Sequence, residues 1–223
     1  MPIQAIVFDF DGVLADSEPL HLRVYQELLE PDGIHLDQAT YAAKYLGYDD
    51  EGVFQQVAKD YGLLLGDEEI ELLIAEKARR FEALVASGNV LYPGADGCVR
   101  RLAAAWPIGI ASGALRAEIE LMLRGAGLLD RFRFIVSAGD TEQTKPAPDP
   151  YLRAAELHGI AAGACVAIED SHWGLQSARA AGMRTIAITH TYPKAALLAD
   201  ADAIVDSLDE ITVEFIERLD LRG

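Results

Sequence analysis

Two carboxylates one residue apart, at the end of a short apolar run, are the groups in this chain best placed to do chemistry: Ile6-Val7-Phe8-Asp9-Phe10-Asp11-Gly12-Val13-Leu14. If Ala5 to Phe8 form a buried strand, Asp9 sits at its carboxyl end, where open α/β sheets collect their ligands. Strand-like spacing aims Asp11 the same way, and Gly12 lets the chain turn sharply aside. Neighbouring acids repel one another unless something cationic joins them. The pair therefore asks for a metal, a lysine, or both. Taken alone, a D-x-D-G pattern also fits a solvated turn after a strand, so its standing depends on the rest of the chain.

Other apolar runs end in polar residues of matching use. Ile108 to Ala111 ends at Ser112-Gly113, where a hydroxyl and the backbone N–H groups opening the next helix form an anion cradle, with Arg116 a further substrate-binding candidate. The plainer reading of Ser112 is an N-cap. Cys165 to Ile168 ends at a second acidic pair, Glu169-Asp170, with Ser171 placed to cap the following helix. One such pair is usually a cap, but two pairs converging on one sheet make an oxygen site for a hard cation. Lys145 lies in Gln143-Thr144-Lys145-Pro146-Ala147-Pro148-Asp149-Pro150, whose prolines stiffen the loop. A surface lysine is ordinarily just solvated. Beside a carboxylate cluster it can neutralise the acids and hold a phosphate as a point charge. The set Asp9/Asp11, Ser112, Lys145 and Glu169/Asp170 reads as metal-assisted phosphoryl transfer to a carboxylate.

The elements that must position these groups alternate. After the first strand, helices are expected over Glu18 to Glu30, Leu36 to Tyr45, Glu51 to Tyr61 and Asp67 to Val85, the last capped by Asp67, with no strand-like run among them. From Gly94 onward strands and helices alternate: strands at 108–111, 134–137, 165–168, 185–188 and 203–205, with a closing helix over Leu208 to Leu219. This rhythm predicts a doubly wound, Rossmann-like parallel α/β sheet. The first strand belongs to that sheet, so residues 17–89 form an inserted all-helical domain and residues 1–16 with 90–223 form the core.

Composition excludes several classes. The chain has 223 residues, 51% hydrophobic and 25% charged, as an ordinary globular protein has. No apolar run approaches the ~20 residues needed to span a bilayer, and the N-terminus does not read as a signal peptide. Cys98 and Cys165 read as buried thiols in a reducing compartment. A net charge of −17 argues against nucleic acid or an anionic membrane as partner. An anionic substrate would need a local cation cluster, which salt screening over about 8 Å permits.

At these motifs, Asp9-Phe10-Asp11-Gly12-Val13, Ser112, Lys145-Pro146 and Glu169-Asp170-Ser171 in that order, the sequence resembles the haloacid dehalogenase superfamily in its phosphatase and β-phosphoglucomutase-like branch. The resemblance covers nearly all of the chain outside the insertion, which is similar to that family's helical cap. It implies that Asp9 is the nucleophile and forms an aspartyl-phosphate, and that Asp11 protonates the leaving oxygen and then activates water. It implies Mg²⁺ held by Asp9, the Asp11 backbone carbonyl and Asp170, with Glu169 an outer or additional ligand. Ser112 and Lys145 would grip the phosphoryl oxygens, with Gly113 and Arg116 beside them. Dehalogenating and phosphonate-cleaving members lack an acid at the Asp11 position, which favours phosphate esters. In the cap, His21 would face the substrate and Lys77 would match a sugar-phosphate contact of the mutase, although Lys77 reads equally well as a solvated helix face. Mutases carry an arginine after a cap-loop glycine, whereas Gly47-Tyr48-Asp49-Asp50 offers acids that would repel a second phosphate. The expectation is a cytoplasmic, monomeric, Mg²⁺-dependent phosphatase of a small phosphorylated metabolite, a sugar phosphate. The alternatives are a phosphomutase of β-phosphoglucomutase type and a non-catalytic phosphometabolite-binding protein.

Overall fold

A computed structural model describes residues 2–45, 48–88 and 90–220. The chain divides into two compact units, residues 17–88 and the remainder. The larger holds a six-stranded parallel sheet in the order β3-β2-β1-β4-β5-β6. Its strands are β1 (Ala5–Phe8), β2 (Ile108–Ala111), β3 (Phe132–Val136), β4 (Cys165–Glu169), β5 (Arg184–Ile188) and β6 (Ala203–Val205). The order reverses beside β1, which pairs with β2 on one side and β4 on the other. That is the switch point at which doubly wound sheets open a crevice at the strands' carboxyl ends.

β1, β2 and β4 are buried along their whole length, as strands covered on both faces must be. Gly109 in β2 is required by packing, since a Cβ there would fall on the Phe134 ring of β3. Helices α5 (Ala95–Ala103), α6 (Arg116–Gly125), α7 (Asp149–His158), α8 (His172–Ala180), α9 (Lys194–Leu197) and α10 (Val213–Asp220) complete the sheet unit. The single closing helix expected from Leu208 is broken. Ser207 and Glu210 close a 3₁₀ turn over Leu208–Glu210, and Thr212 Oγ1 then accepts from Phe215 N–H at 3.1 Å to start α10.

The helical unit contains α1 (Glu18–Leu29), α2 (Gln38–Lys44), α3 (Asp50–Tyr61) and α4 (Asp67–Ser87). Asp67 does not cap α4. Gly66 is the N-cap, and its N–H donates to Glu69 Oε2 at 2.7 Å, leaving Asp67 in the first turn. Among the described residues no helix is long and apolar enough to cross a membrane.

Candidate active site

Parallel pairing brings the polar strand ends together. Phe8 registers with Ile168 and Ile110, so Asp9 emerges next to Glu169 on one flank and next to Ala111-Ser112 on the other. The Lys145 ammonium bridges the flanks, donating to Asp9 Oδ1 at 2.7 Å and to Glu169 Oε1 at 2.6 Å. Asp9 (7% exposed), Glu169 (0%) and Asp170 (5%) are all buried.

Oxygens of Asp9, Glu169 and Asp170 lie within 4.8 Å of one another, a group able to hold a metal ion. Burial raises the Asp9 carboxyl, the Lys145 charge lowers it, and the Glu169 and Asp11 charges raise it again, so the net shift is upward. Asp170 is likewise raised, by burial and then by Glu169 and Asp9. Burial disfavours the Lys145 charge, but Asp9 and Glu169 outweigh it and hold the ammonium protonated. One ammonium among three buried carboxylates leaves negative charge uncompensated. All-oxygen donors with excess negative charge are what Mg²⁺ requires.

Glu169 has its own partners. Oε1 also accepts from Tyr151 OH at 2.8 Å, and Oε2 accepts from Asp170 N–H at 3.1 Å and from Ser171 N–H and Oγ at 3.3 and 3.1 Å. With both oxygens taken by donors, Glu169 suits the outer position of a cation site and anchors Lys145. A Cβ on Gly174 would fall on the same carboxylate, so α8 can approach it only as glycine. Ser171 caps α8 as expected, accepting from Gly174 N–H at 3.1 Å.

Ser112 is buried and Gly113 has open space around its Cα, but no helix opens there. Ser112 Oγ accepts from Ala114 N–H at 3.2 Å, and α6 begins only at Arg116 with Leu115 as its N-cap. Arg116 is turned to a structural task. Its Nη2 donates to the Ile135 carbonyl at 2.6 Å and to Asp140 at 2.7 Å, and Asp140 also accepts from Ser137, so this nitrogen fastens the end of β3.

In the helical unit, His21 stacks on Phe81 with centroids 4.3 Å apart. Burial, reinforced by the Lys77 charge, pushes His21 down to about 3, so its ring is neutral. Lys77 is not on a solvated face: it is 1% exposed and pairs with Asp50 at 2.9 Å. Asp50 Oδ1 also accepts from Tyr25 OH at 2.6 Å, and Asp49 caps α3 through Gly52 N–H at 2.8 Å. These acids are therefore engaged within the unit, and Asp50 is neutralised by a buried lysine. They do not present the repulsive pair expected for this loop, whose Gly47 lies outside the described residues.

Tyr151 and Thr191, whose side chain hydrogen-bonds Asp170, are site residues that the sequence reading missed. Tyr151 carried one signal, a place on the buried stripe of the helix directly after the proline-stiffened lysine loop. The sequence gives Thr191 no comparable signal.

The sheet order, the inserted helices and this lysine-bridged acidic cluster define a doubly wound, Rossmann-like α/β core with a site at the switch point. Residues 3–182 match the family model of the haloacid dehalogenase-like hydrolases. The chain belongs to that family, and it resembles both its phosphatases and its phosphomutases. The fructose-1-phosphate phosphatase YqaB of Escherichia coli is 30% identical over 81% of this chain and 94% of that protein. A β-phosphoglucomutase of Bacillus subtilis is 25% identical over 96% of this chain and 94% of that protein. A crystal structure of a CbbY mutant from Rhodobacter sphaeroides in complex with xylulose-(1,5)bisphosphate superposes with a TM-score of 0.82, at 26% identity, covering 96% of this chain and 99% of that one.

Proposed function

We propose that this chain is a Mg²⁺-dependent phosphatase that hydrolyses a small phosphorylated metabolite, a sugar phosphate, through an aspartyl-phosphate. The observation that carries the reading is the Lys145 ammonium held between Asp9 and Glu169, with Asp170 in the same buried group. Lys145 works against the rise that burial causes in the Asp9 carboxyl and aims its oxygen, at the end of a central strand, as a nucleophile. Asp9 and Asp170, with the Asp11 backbone carbonyl, would hold Mg²⁺. When bound, the ion neutralises the negative charge of the phosphoryl group.

In this mechanism an Asp9 oxygen attacks phosphorus, and the ester P–O bond breaks with its electron pair going to the leaving oxygen. That oxygen takes a proton from Asp11. A water then attacks phosphorus while Asp11 takes its proton, the phosphorus–Asp9 bond breaks, and inorganic phosphate leaves with the Asp9 carboxylate restored. Lys145 and Ser112 steady the phosphoryl oxygens. Gly113, with no side chain in the way, lets a phosphate approach the backbone.

Sugar phosphates are favoured because YqaB is a fructose-1-phosphate phosphatase and the CbbY structure holds a sugar bisphosphate. The test is release of inorganic phosphate from a panel of phosphorylated metabolites with and without Mg²⁺. Asp9→Asn should abolish turnover while the circular dichroism spectrum stays unchanged, and retained turnover would show that the nucleophile is another residue. The likeness to a β-phosphoglucomutase supports a second reading, a phosphomutase. Accumulation of glucose 6-phosphate from β-glucose 1-phosphate with a trace of glucose 1,6-bisphosphate would replace the hydrolase reading, whereas free glucose and phosphate would support it. Tight binding of phosphometabolites with no turnover of p-nitrophenyl phosphate would instead indicate a non-catalytic binder.

A further inference from the structure

The end of β5 continues as Thr189-His190-Thr191-Tyr192, where Thr191 already reaches Asp170 and His190 has no role so far. His190 Nδ1 lies 2.9 Å from the Gly12 carbonyl oxygen. A carbonyl only accepts, so Nδ1 carries the proton. The imidazole is clamped from one side by Tyr92, with centroids 3.9 Å apart and planes 23° from parallel. Tyr92 is itself anchored, its N–H donating to the Leu14 carbonyl at 2.9 Å and its hydroxyl to Asp16 Oδ1 at 3.4 Å.

Gly12 is the residue after Asp11, and it needs this support. It has a φ of 77°, which only glycine adopts freely, and glycine is also the residue least able to hold one conformation by itself. A Cβ there would fall on the Asp170 carboxylate, so bulk cannot rigidify the turn. Hydrogen bonds from both sides do so instead. The Gly12 N–H donates to the Ala15 carbonyl at 2.9 Å, fixing the Asp11–Gly12 peptide, and His190 fixes the next peptide through the Gly12 carbonyl.

We propose that His190, clamped by Tyr92, is a positioning residue that holds the Gly12 turn so that Asp11 delivers its proton to the leaving oxygen. The proposal rests on the phosphatase reading above and assigns His190 no contact with substrate. It makes a demand that a general packing role does not. Proton delivery matters most when the leaving alkoxide is a strong base and little when it is already stable. Positioning errors should therefore grow with the leaving group's pKa. Because kcat/KM covers steps only through phosphoryl transfer to Asp9, it isolates the acid role of Asp11 from its later role as base.

The test compares kcat/KM for p-nitrophenyl phosphate and for an alkyl phosphate such as glycerol phosphate, in Mg²⁺, for the unmodified chain and two variants. His190→Phe keeps a ring against Tyr92 but has no donor. It should lose roughly tenfold or more on the alkyl ester, a fraction of the 10²–10⁴ that a positioned acid supplies, and under about threefold on the aryl ester. His190→Asn places an amide N–H the same number of bonds from Cα as Nδ1, and it should recover both substrates to within about threefold. Should His190→Phe fail to fold by circular dichroism, Tyr92→Leu, which frees the imidazole but leaves the donor, should show the same bias towards the alkyl ester. Equal losses on both esters, or no loss on either, would overturn the positioning role while leaving the phosphatase reading intact. No turnover of either ester by the unmodified chain would overturn both.

Discussion

Replacing Lys145 by methionine keeps an unbranched side chain, shorter by the terminal nitrogen, and removes the ammonium bonded to Asp9 and Glu169. Glu169 is fully buried and Asp9 nearly so, at 0% and 7% exposed, and removing one partner of a buried ion pair costs about 3–5 kcal/mol. At roughly 2–4 °C per kcal/mol for a chain of this size, the melting temperature should fall by about 6–20 °C in EDTA at pH 8. The deficit must depend on pH. Burial already raises the Asp9 and Asp170 carboxyls, and Lys145 works against that rise. Without the lysine they rise further. A carboxyl raised in the folded state binds protons there that the unfolded chain has released. Its destabilising effect is absent below the ordinary carboxylate range, grows as pH climbs, and is complete above the raised value. The variant should therefore sit closer to the unmodified protein at pH 5 than at pH 8, and added Mg²⁺ should restore part of the loss at pH 8. The assay is thermal unfolding by circular dichroism at the two pH values, with EDTA and then with Mg²⁺. A variant that melts with the unmodified protein in EDTA at pH 8, or whose deficit is the same at both values, would refute the view that Lys145 compensates a buried excess of negative charge.

Tyr151→Phe removes a buried 2.8 Å hydrogen bond to Glu169 and should cost about 1–3 kcal/mol in chemical denaturation, with a smaller effect on turnover because Lys145 and Ser171 still hold that carboxylate. Gly174→Ala should be far more damaging to activity than an ordinary helix substitution, because its Cβ competes with the Glu169 carboxylate and displaces Lys145. Near-unmodified turnover in that variant would show that the Glu169–Lys145 contact is dispensable. His158 is buried against Phe134, and burial lowers its pKa. The unfolded chain therefore takes up the proton first, and stability present above about pH 6.5 is lost as pH falls below it. His158→Leu should flatten the decline in unfolding free energy between pH 6.5 and 5, measured by urea titration.

Much of the site was legible because its residues follow a local rule. Asp9, Ser112 and Glu169-Asp170 each follow a run of buried apolar residues, and Lys145 lies in a loop whose prolines advertise rigidity. Period and punctuation are properties of neighbouring residues, so strand ends, helix stripes and the helical insertion between β1 and β2 could be read without coordinates. Errors fell where a local signal has two meanings. Asp67 looks like a cap, but Gly66 holds that position through Glu69. Lys77 can pass for a solvated helix residue and Asp50 for an acid that repels phosphate, yet the two, far apart in sequence, pair with one another.

By itself, then, the sequence determined which side chains stand at strand ends and what chemistry their types allow. Only the tertiary structure decided who meets whom. The pairing of β1 with β4 sets Asp9 beside Glu169, the packing of α7 brings Tyr151 to that carboxylate, and the turn after β5 carries His190 to Gly12 and Thr191 to Asp170. The physical reason is range. Backbone geometry and hydrophobic period act over a few residues, whereas a buried charge is settled by whichever partners the folded chain places within hydrogen-bond reach.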